Sequence, residues 1–242
     1  MRYLILILAI IFFSGCSFGS SYRNVTPNEY IENKYVSVNI ADSSYRINKK
    51  YDTVPKLETG LPSFNKSRNG TSYKINFRTY PYKDALFYKQ FFNKDAVYDD
   101  SDIVKETYDE NDKEQGINYK KGWQVYVNDM RCAGGVYARV SKGLYQHVDK
   151  NYGITCGYYD KTEGRRLLDI SYSYFYANGN TRLQKDKDKP REELVSQEQA
   201  EEGLKEAVKA LVKTIKIKNL DKERMEKEGL MHYDKEFEST KW

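Results

Sequence analysis

Histidine and cysteine are scarce in this chain of 242 residues: His147 and His232, then Cys16, Cys132 and Cys156. A zinc centre fills a tetrahedral shell with Cys, His or carboxylate ligands, and two cysteines with two distant histidines do not spell one. Motifs for catalysis are missing as well. There is no Gly-x-Ser-x-Gly elbow and no His-Glu-x-x-His pair. Acids are plentiful, but nothing singles out two of them as a glycosidase pair. An excess of one charge is lacking: 40 Lys and Arg face 35 Asp and Glu, for a net charge of +5. The signs interleave, as in Lys105-Glu106 and Asp186-Lys187-Asp188-Lys189, so no basic stripe points to nucleic acid. The longest apolar run, residues 3–13, falls short of the roughly 20 residues that span a bilayer. These absences predict a protein that is not an enzyme, needs no metal or cofactor, and binds no nucleic acid.

What is abundant is tyrosine, with 23 copies in a chain that is 14% aromatic. A tyrosine buries a large ring while its hydroxyl stays wet, which suits half-exposed sheets and interfaces. An AT-rich coding bias would produce the same excess.

The N-terminus organises the rest. Arg2 precedes the apolar run, and the small pair Ser14-Gly15 stands before Cys16, which is the layout of a secretory signal. With a cysteine directly after the small pair, the segment resembles the lipobox of bacterial lipoproteins. The resemblance implies cleavage before Cys16, acylation of that cysteine, and a mature chain of 227 residues. Ser17 follows where an aspartate would favour inner-membrane retention. The implied place is therefore the outer membrane, with the domain facing the periplasm or the cell surface. In an exported chain a disulfide is permitted. Cys132 and Cys156 are the remaining pair and are expected as a disulfide, with two free thiols as the alternative. Closing a loop of about 25 residues would contribute roughly 3–4 kcal/mol.

Four segments are expected: a signal peptide over residues 1–15, a polar tether over 16–33, a globular domain over 34–218, and a charged tail or short helix over 219–242. Val36, Val38 and Ile40 alternate with polar residues as a strand. Residues 48–68 carry Pro55, Gly60 and Pro62 and read as loop. Asn69-Gly70 predicts a tight turn, followed by a half-buried strand through Tyr73, Ile75 and Phe77. Leu86, Phe87, Phe91 and Phe92 fit a short helix. Residues 95–116 are acidic. The EF-hand pattern breaks there at Lys113, so a solvated loop is expected. The centre reads as short strands. Gly134-Gly135, Lys142-Gly143 and residues 151–153 are taken as bulges or turns between them. Trp123, Val125 and Val127 share one face of one such strand. Leu168, Ile170, Tyr172, Tyr174 and Tyr176 alternate with Asp169, Ser171 and Ser173 in another. Asn178-Gly179 makes a further turn. The disulfide would then staple non-adjacent parts of the sheet.

Pro190 and Ser196 mark the start of the strongest helix. Leu204, Ala207, Val208, Leu211, Val212 and Ile215 recur on one face as far as Ile217. The predicted fold is α+β: an antiparallel meander with this amphipathic helix packed on one face.

A Tyr-rich sheet on a lipid anchor is a good protein-recognition surface. With its lipobox, strand-rich domain and cysteine pair, the chain looks like the immunity lipoproteins that neutralise toxins delivered into the periplasm, such as phospholipases. That resemblance implies neutralisation by occlusion of the toxin. The alternative is a structural, assembly or adhesin lipoprotein of the envelope, and a lipoprotein with a cavity for a small hydrophobic ligand is a third reading. The expected partners are the membrane, through the anchor, and a toxin or envelope protein. If the sheet has an open face, its candidates for contact are Tyr172, Tyr174 and Tyr176, or Tyr158 and Tyr159; an alternating face of this kind serves equally well as core.

Overall fold

Alternation of apolar and polar residues is the main instruction in this sequence, and it produces long strands. In the computed structural model, residues 22–48, 59–68, 71–83, 86–96, 104–107, 116–142, 146–177 and 195–233 are described. The strands are β1 (Tyr22–Asn24), β2 (Glu29–Glu32), β3 (Val36–Ile40), β4 (Arg46–Asn48), β5 (Phe64–Arg68), β6 (Thr71–Pro81), β7 (Val104–Thr107), β8 (Gly116–Val127), β9 (Met130–Lys142), β10 (Gln146–Asp160), β11 (Gly164–Ala177) and β12 (Lys216–Ile217). The helices are α1 (Leu86–Lys89), which runs into a 3-10 turn over Gln90–Phe92, then α2 (Gln197–Val212) and α3 (Lys222–Lys227). The fold is α+β. Nine strands form one antiparallel sheet in the order β1-β4-β5-β6-β11-β10-β9-β8-β7, and β12-β3-β2 form a second. No helix among the described residues is long and apolar enough to cross a membrane.

The central strands are longer than the sequence pattern suggests. Gly134-Gly135 lie inside β9, and residues 151–153 lie inside β10, in unbroken register: Gly134 faces Ile154 and Gly135 faces Gly153. Gly134 answers a packing demand rather than a turn. A Cβ on Gly134 would meet the Trp123 indole at 2.2 Å, so the indole of β8 lies directly on the backbone of β9. The tight turn the sequence pattern missed is Asn128-Asp129, where both residues take positive φ, 47° and 65°. This is the backbone a two-residue hairpin requires, and it joins Val127 to Met130 across the β8–β9 pair. The β10–β11 hairpin closes with Gly164 at φ 76°. Asp160 Oδ1 accepts the N–H of Thr162 and of Glu163 there, at 2.9 and 3.0 Å.

Cys132 and Cys156 are bonded, with 2.04 Å between the sulfurs. They face each other in the register of β9 and β10, so the bond links neighbouring strands and not the non-adjacent parts expected.

Three other expectations are corrected. The span expected as tether, 16–33, contains β1 and β2 at residues 22–24 and 29–32, with Val25 and Ile31 buried between and within them. The proline-marked loop contains β5, held by Phe64, whose ring meets Phe77 edge-on at 5.7 Å. The acidic stretch contains β7, paired to β8 from Val104–Lys120 to Thr107–Ile117. The turns at Asn69-Gly70 and Asn178-Gly179, the strand at 181–183, and Cys16 all lie outside the described residues, although Arg68 faces Thr71 across β5 and β6.

Helix α2 begins at a reciprocal cap. The N–H of Gln199 donates to Ser196 Oγ, and the N–H of Ser196 donates to Gln199 Oε1, which satisfies two end donors at once. It stops at Val212, short of Ile217. Thr214 Oγ1 donates to the carbonyl of Asn39 at 2.7 Å, and the chain turns into β12, which pairs with β3. Ala200, Leu204, Ala207, Val208, Leu211 and Val212 are the helix's buried residues. Gly203 permits the approach of Tyr73, whose hydroxyl would lie 2.4 Å from a Cβ there. After β12, residues 219–230 run along β10 and β9: Asp221 N donates to the Tyr159 carbonyl, and Arg131 N to the Leu230 carbonyl. Asp221 caps α3 through Arg224 N.

Candidate protein-binding face

Strand parity divides the nine-stranded sheet into two faces. On one face, Tyr73, Ile75 and Phe77 of β6 are buried, as are Ile170, Tyr172 and Tyr174 of β11. So are Tyr152, Ile154 and Cys156 of β10 and Trp123 and Val125 of β8. This is the core face, and α2 lies on that side: Tyr174 OH donates to Glu201 Oε1 at 2.8 Å, and Tyr45 OH to the Ala207 carbonyl at 3.1 Å.

Four of the five tyrosines expected at an open face are therefore core residues. Tyr172 stacks on Tyr152, with centroids 5.2 Å apart and planes 5° from parallel. Burial holds its phenol well above the ordinary range. Tyr174 is pushed up too, by burial and by the Glu201 carboxylate. Tyr158 is fully buried, and burial raises its hydroxyl to about 12. Tyr159 points to the other side but is also fully buried. Its ring meets Phe92 at 5.4 Å and lies under Arg224 at 4.0 Å. Arg165 sits among the rings of Phe92, Tyr82 and Tyr159, 5.3 to 5.9 Å from each. The backbone of Tyr176 pairs with Thr71 and Val148; its side chain lies outside the described residues.

The second face is the one with room on it. One row crosses five strands in register: Gly122, Gly135, Gly153, Ser171 and Asn76. Asn76 Nδ2 donates to Ser171 Oγ at 3.3 Å. Among the described residues a Cβ on Gly153 would meet nothing within 4 Å, which leaves the middle of the row open on their side. The neighbouring row runs through Gln124, Ala133, Thr155, Asp169 and Arg78. Burial pushes the Asp169 carboxyl up, opposed by the Thr155 hydroxyl and by the charge of Arg78. On the far side of the glycine row stand Lys74, Ser173 and Phe175, whose ring is 46% exposed. Gly157 ends the open area: a Cβ there would fall 2.5 Å from the Phe91 carbonyl oxygen, so the 3-10 turn lies on the sheet at that point. Arg131 ties the same turn down through the carbonyls of Ala96 and Asn93.

The sequence carried the signal for this face in the polar partners of the β11 alternation, Asp169, Ser171 and Ser173. Tyr158, Tyr172 and Tyr174 lie on the opposite, core side, and Tyr159 is on this side but buried. A cleft of about 580 Å3 also opens between the Asn128-Asp129 turn, β12 and α3. Lysines and acids mix along it with Ile217, Leu220 and Met231, and no set of polar groups converges on one point. No protein-family model, curated protein or solved structure matches the chain.

Proposed function

We propose that this chain is a lipid-anchored, periplasm-facing lipoprotein that binds another protein, and that it serves as an immunity protein occluding a toxin. The reading takes the sheet as a meander whose core face is closed by the C-terminal helix and whose second face is the contact surface. The observation that carries it is the open row of small residues across β8, β9, β10, β11 and β6, with space over Gly153 that is clear among the described residues. The stretch of this row without side chains, Gly122, Gly135 and Gly153, admits a close approach by a partner's protruding segment, and an exposed aromatic near its margin, Phe175, supplies contact area. The exposed charges on the described part of this face, Lys74 and Arg78, are basic, which fits an acidic partner surface. A protein binder requires no reaction chemistry, consistent with the motifs absent from the sequence.

The test is growth of a strain lacking the protein beside siblings that secrete toxins into the periplasm. Loss of survival, restored by the intact gene and not by a Gly153→Arg version, is the expected result. Equal survival with and without the protein overturns the immunity role, and recovery of a stable envelope complex in cells without toxins assigns the face to envelope assembly instead.

A further inference from the structure

Cys16 and Tyr22 are separated by five residues, and Tyr22 opens β1. Six peptide steps reach at most about 20 Å. Whatever path those residues take, the first strand of the folded domain stays within that distance of an acylated cysteine at the bilayer surface. The inference rests on the lipoprotein reading of Cys16, and it follows from how early the fold begins.

The part of the domain held so close is a rim. β1 is the outermost strand of the nine-stranded sheet, and β2 is the outermost strand of the three-stranded one. Arg23 of β1 and Glu29 of β2 join them with two parallel bonds, 2.6 and 3.0 Å. A forked pair of this kind fixes geometry as well as charge. The rim carries Tyr22, 39% exposed, and Tyr30, whose 59% is the highest among the exposed large hydrophobic residues described. Arg46, also exposed, faces Asn24 across β4 and β1. A tyrosine ring with one wet end is suited to the headgroup layer of a bilayer, and an arginine is drawn to anionic headgroups.

We propose that this rim docks in the headgroup layer of the membrane that holds the anchor, with Tyr30 as its main contact. The anchor then orients the domain as well as retaining it. β10, at the middle of the glycine row, lies five strand spacings from β1, roughly 24 Å. The open face therefore stands clear of the lipid, where a soluble partner can reach it.

The test uses the full acylated protein in vesicles of phosphatidylethanolamine and phosphatidylglycerol, part of the lipid brominated on its acyl chains. Y30W and F175W each place one exposed indole, at the rim and on the open face; the unsubstituted protein supplies the background of Trp123 and Trp242. Bromine should quench the Y30W signal at least about twofold more than the F175W signal, since quenching requires proximity to the hydrocarbon boundary. Equal quenching in protein whose Cys16 peptide shows the acyl mass overturns the docking. An unmodified Cys16 peptide overturns the anchor beneath it, which separates the two failures.

Discussion

Gly134 of β9 lies against the indole of Trp123, its register partner on β8, so closely that a Cβ would fall 2.2 Å from Nε1 and 2.6 Å from Cε2. The contact sets the spacing of the core beside the disulfide. Trp123 also packs edge-on against Tyr152, with centroids 6.5 Å apart, so the indole cannot move aside without disturbing β10. Gly134→Ala should cost about 1–3 kcal/mol, the range for overfilling a packed interior. In the background of Trp123→Leu the same change should cost much less, because the atoms it strikes are gone. Urea denaturation of the two single variants and the double one measures the coupling.

The Cys132–Cys156 bond closes a loop with a sequence separation of 24. Replacing both cysteines with alanine should lower stability by about 3–4 kcal/mol, most of it through the unfolded chain. Since the two residues are register partners on adjacent hydrogen-bonded strands, the reduced protein should keep its sheet: far-UV circular dichroism unchanged at 25 °C, with a lower denaturation midpoint in reductant.

The buried tyrosines of the core face should respond differently from Phe175 on the open face. Tyr174→Phe removes the hydroxyl that donates to Glu201 and leaves that carboxylate without one donor, at about 1 kcal/mol. Tyr172→Ala removes a ring that is 2% exposed and stacked on Tyr152, at about 3–5 kcal/mol. Phe175→Ala should leave the midpoint of unfolding within about 0.5 kcal/mol, as befits an exposed residue, and weaken the partner complex at least about tenfold if Phe175 is a contact residue. Thermal melts together with calorimetric titration of the partner separate stability from binding. An unaltered affinity in Phe175→Ala removes that residue from the contact surface.

Ser196 shows what was readable in advance. A serine before an apolar 3–4 repeat is a local code, and the helix starts directly after it; the return bond from Gln199 is seen in the structure. Ser196→Ala should cost about 1 kcal/mol, read as a lowered midpoint of thermal unfolding. The helix end was not readable, because it is set by Thr214 reaching the Asn39 carbonyl, 175 residues away in sequence. The same holds for Gly134 of β9. In isolation Gly134-Gly135 is a turn signal; only the position of Trp123 on the neighbouring strand makes it a requirement of packing. β1 and β2 were hidden for a similar reason, since three or four residues carry little alternation. What reveals them is the pairing of Tyr22 with Asn48 and of Glu29 with Ile40. Parity was legible for β11 as an alternation but not as a direction. Which of its two faces is the core depends on where α2 lies.

Asp169 links the open face to pH. Burial on the sheet raises its carboxyl above the ordinary range, and Thr155 and Arg78 only partly offset this. In the unfolded chain an aspartate titrates near pH 3.9. Between that value and the higher one of the folded state, the native protein holds more protons than the unfolded chain. Stability from this group is thus fully present below about pH 3.9 and falls as the pH rises through the folded value. At pH 7 the buried Asp169 carboxyl is a cost the fold carries. Asp169→Asn keeps an oxygen for the Thr155 hydroxyl and removes that cost, so it should raise stability at pH 7 and flatten the curve above pH 4. The difference from the wild type should vanish near pH 3. Denaturant midpoints at intervals of half a pH unit would show it. A variant less stable than wild type at pH 7 would mean that the charge interaction between Asp169 and Arg78 outweighs desolvation.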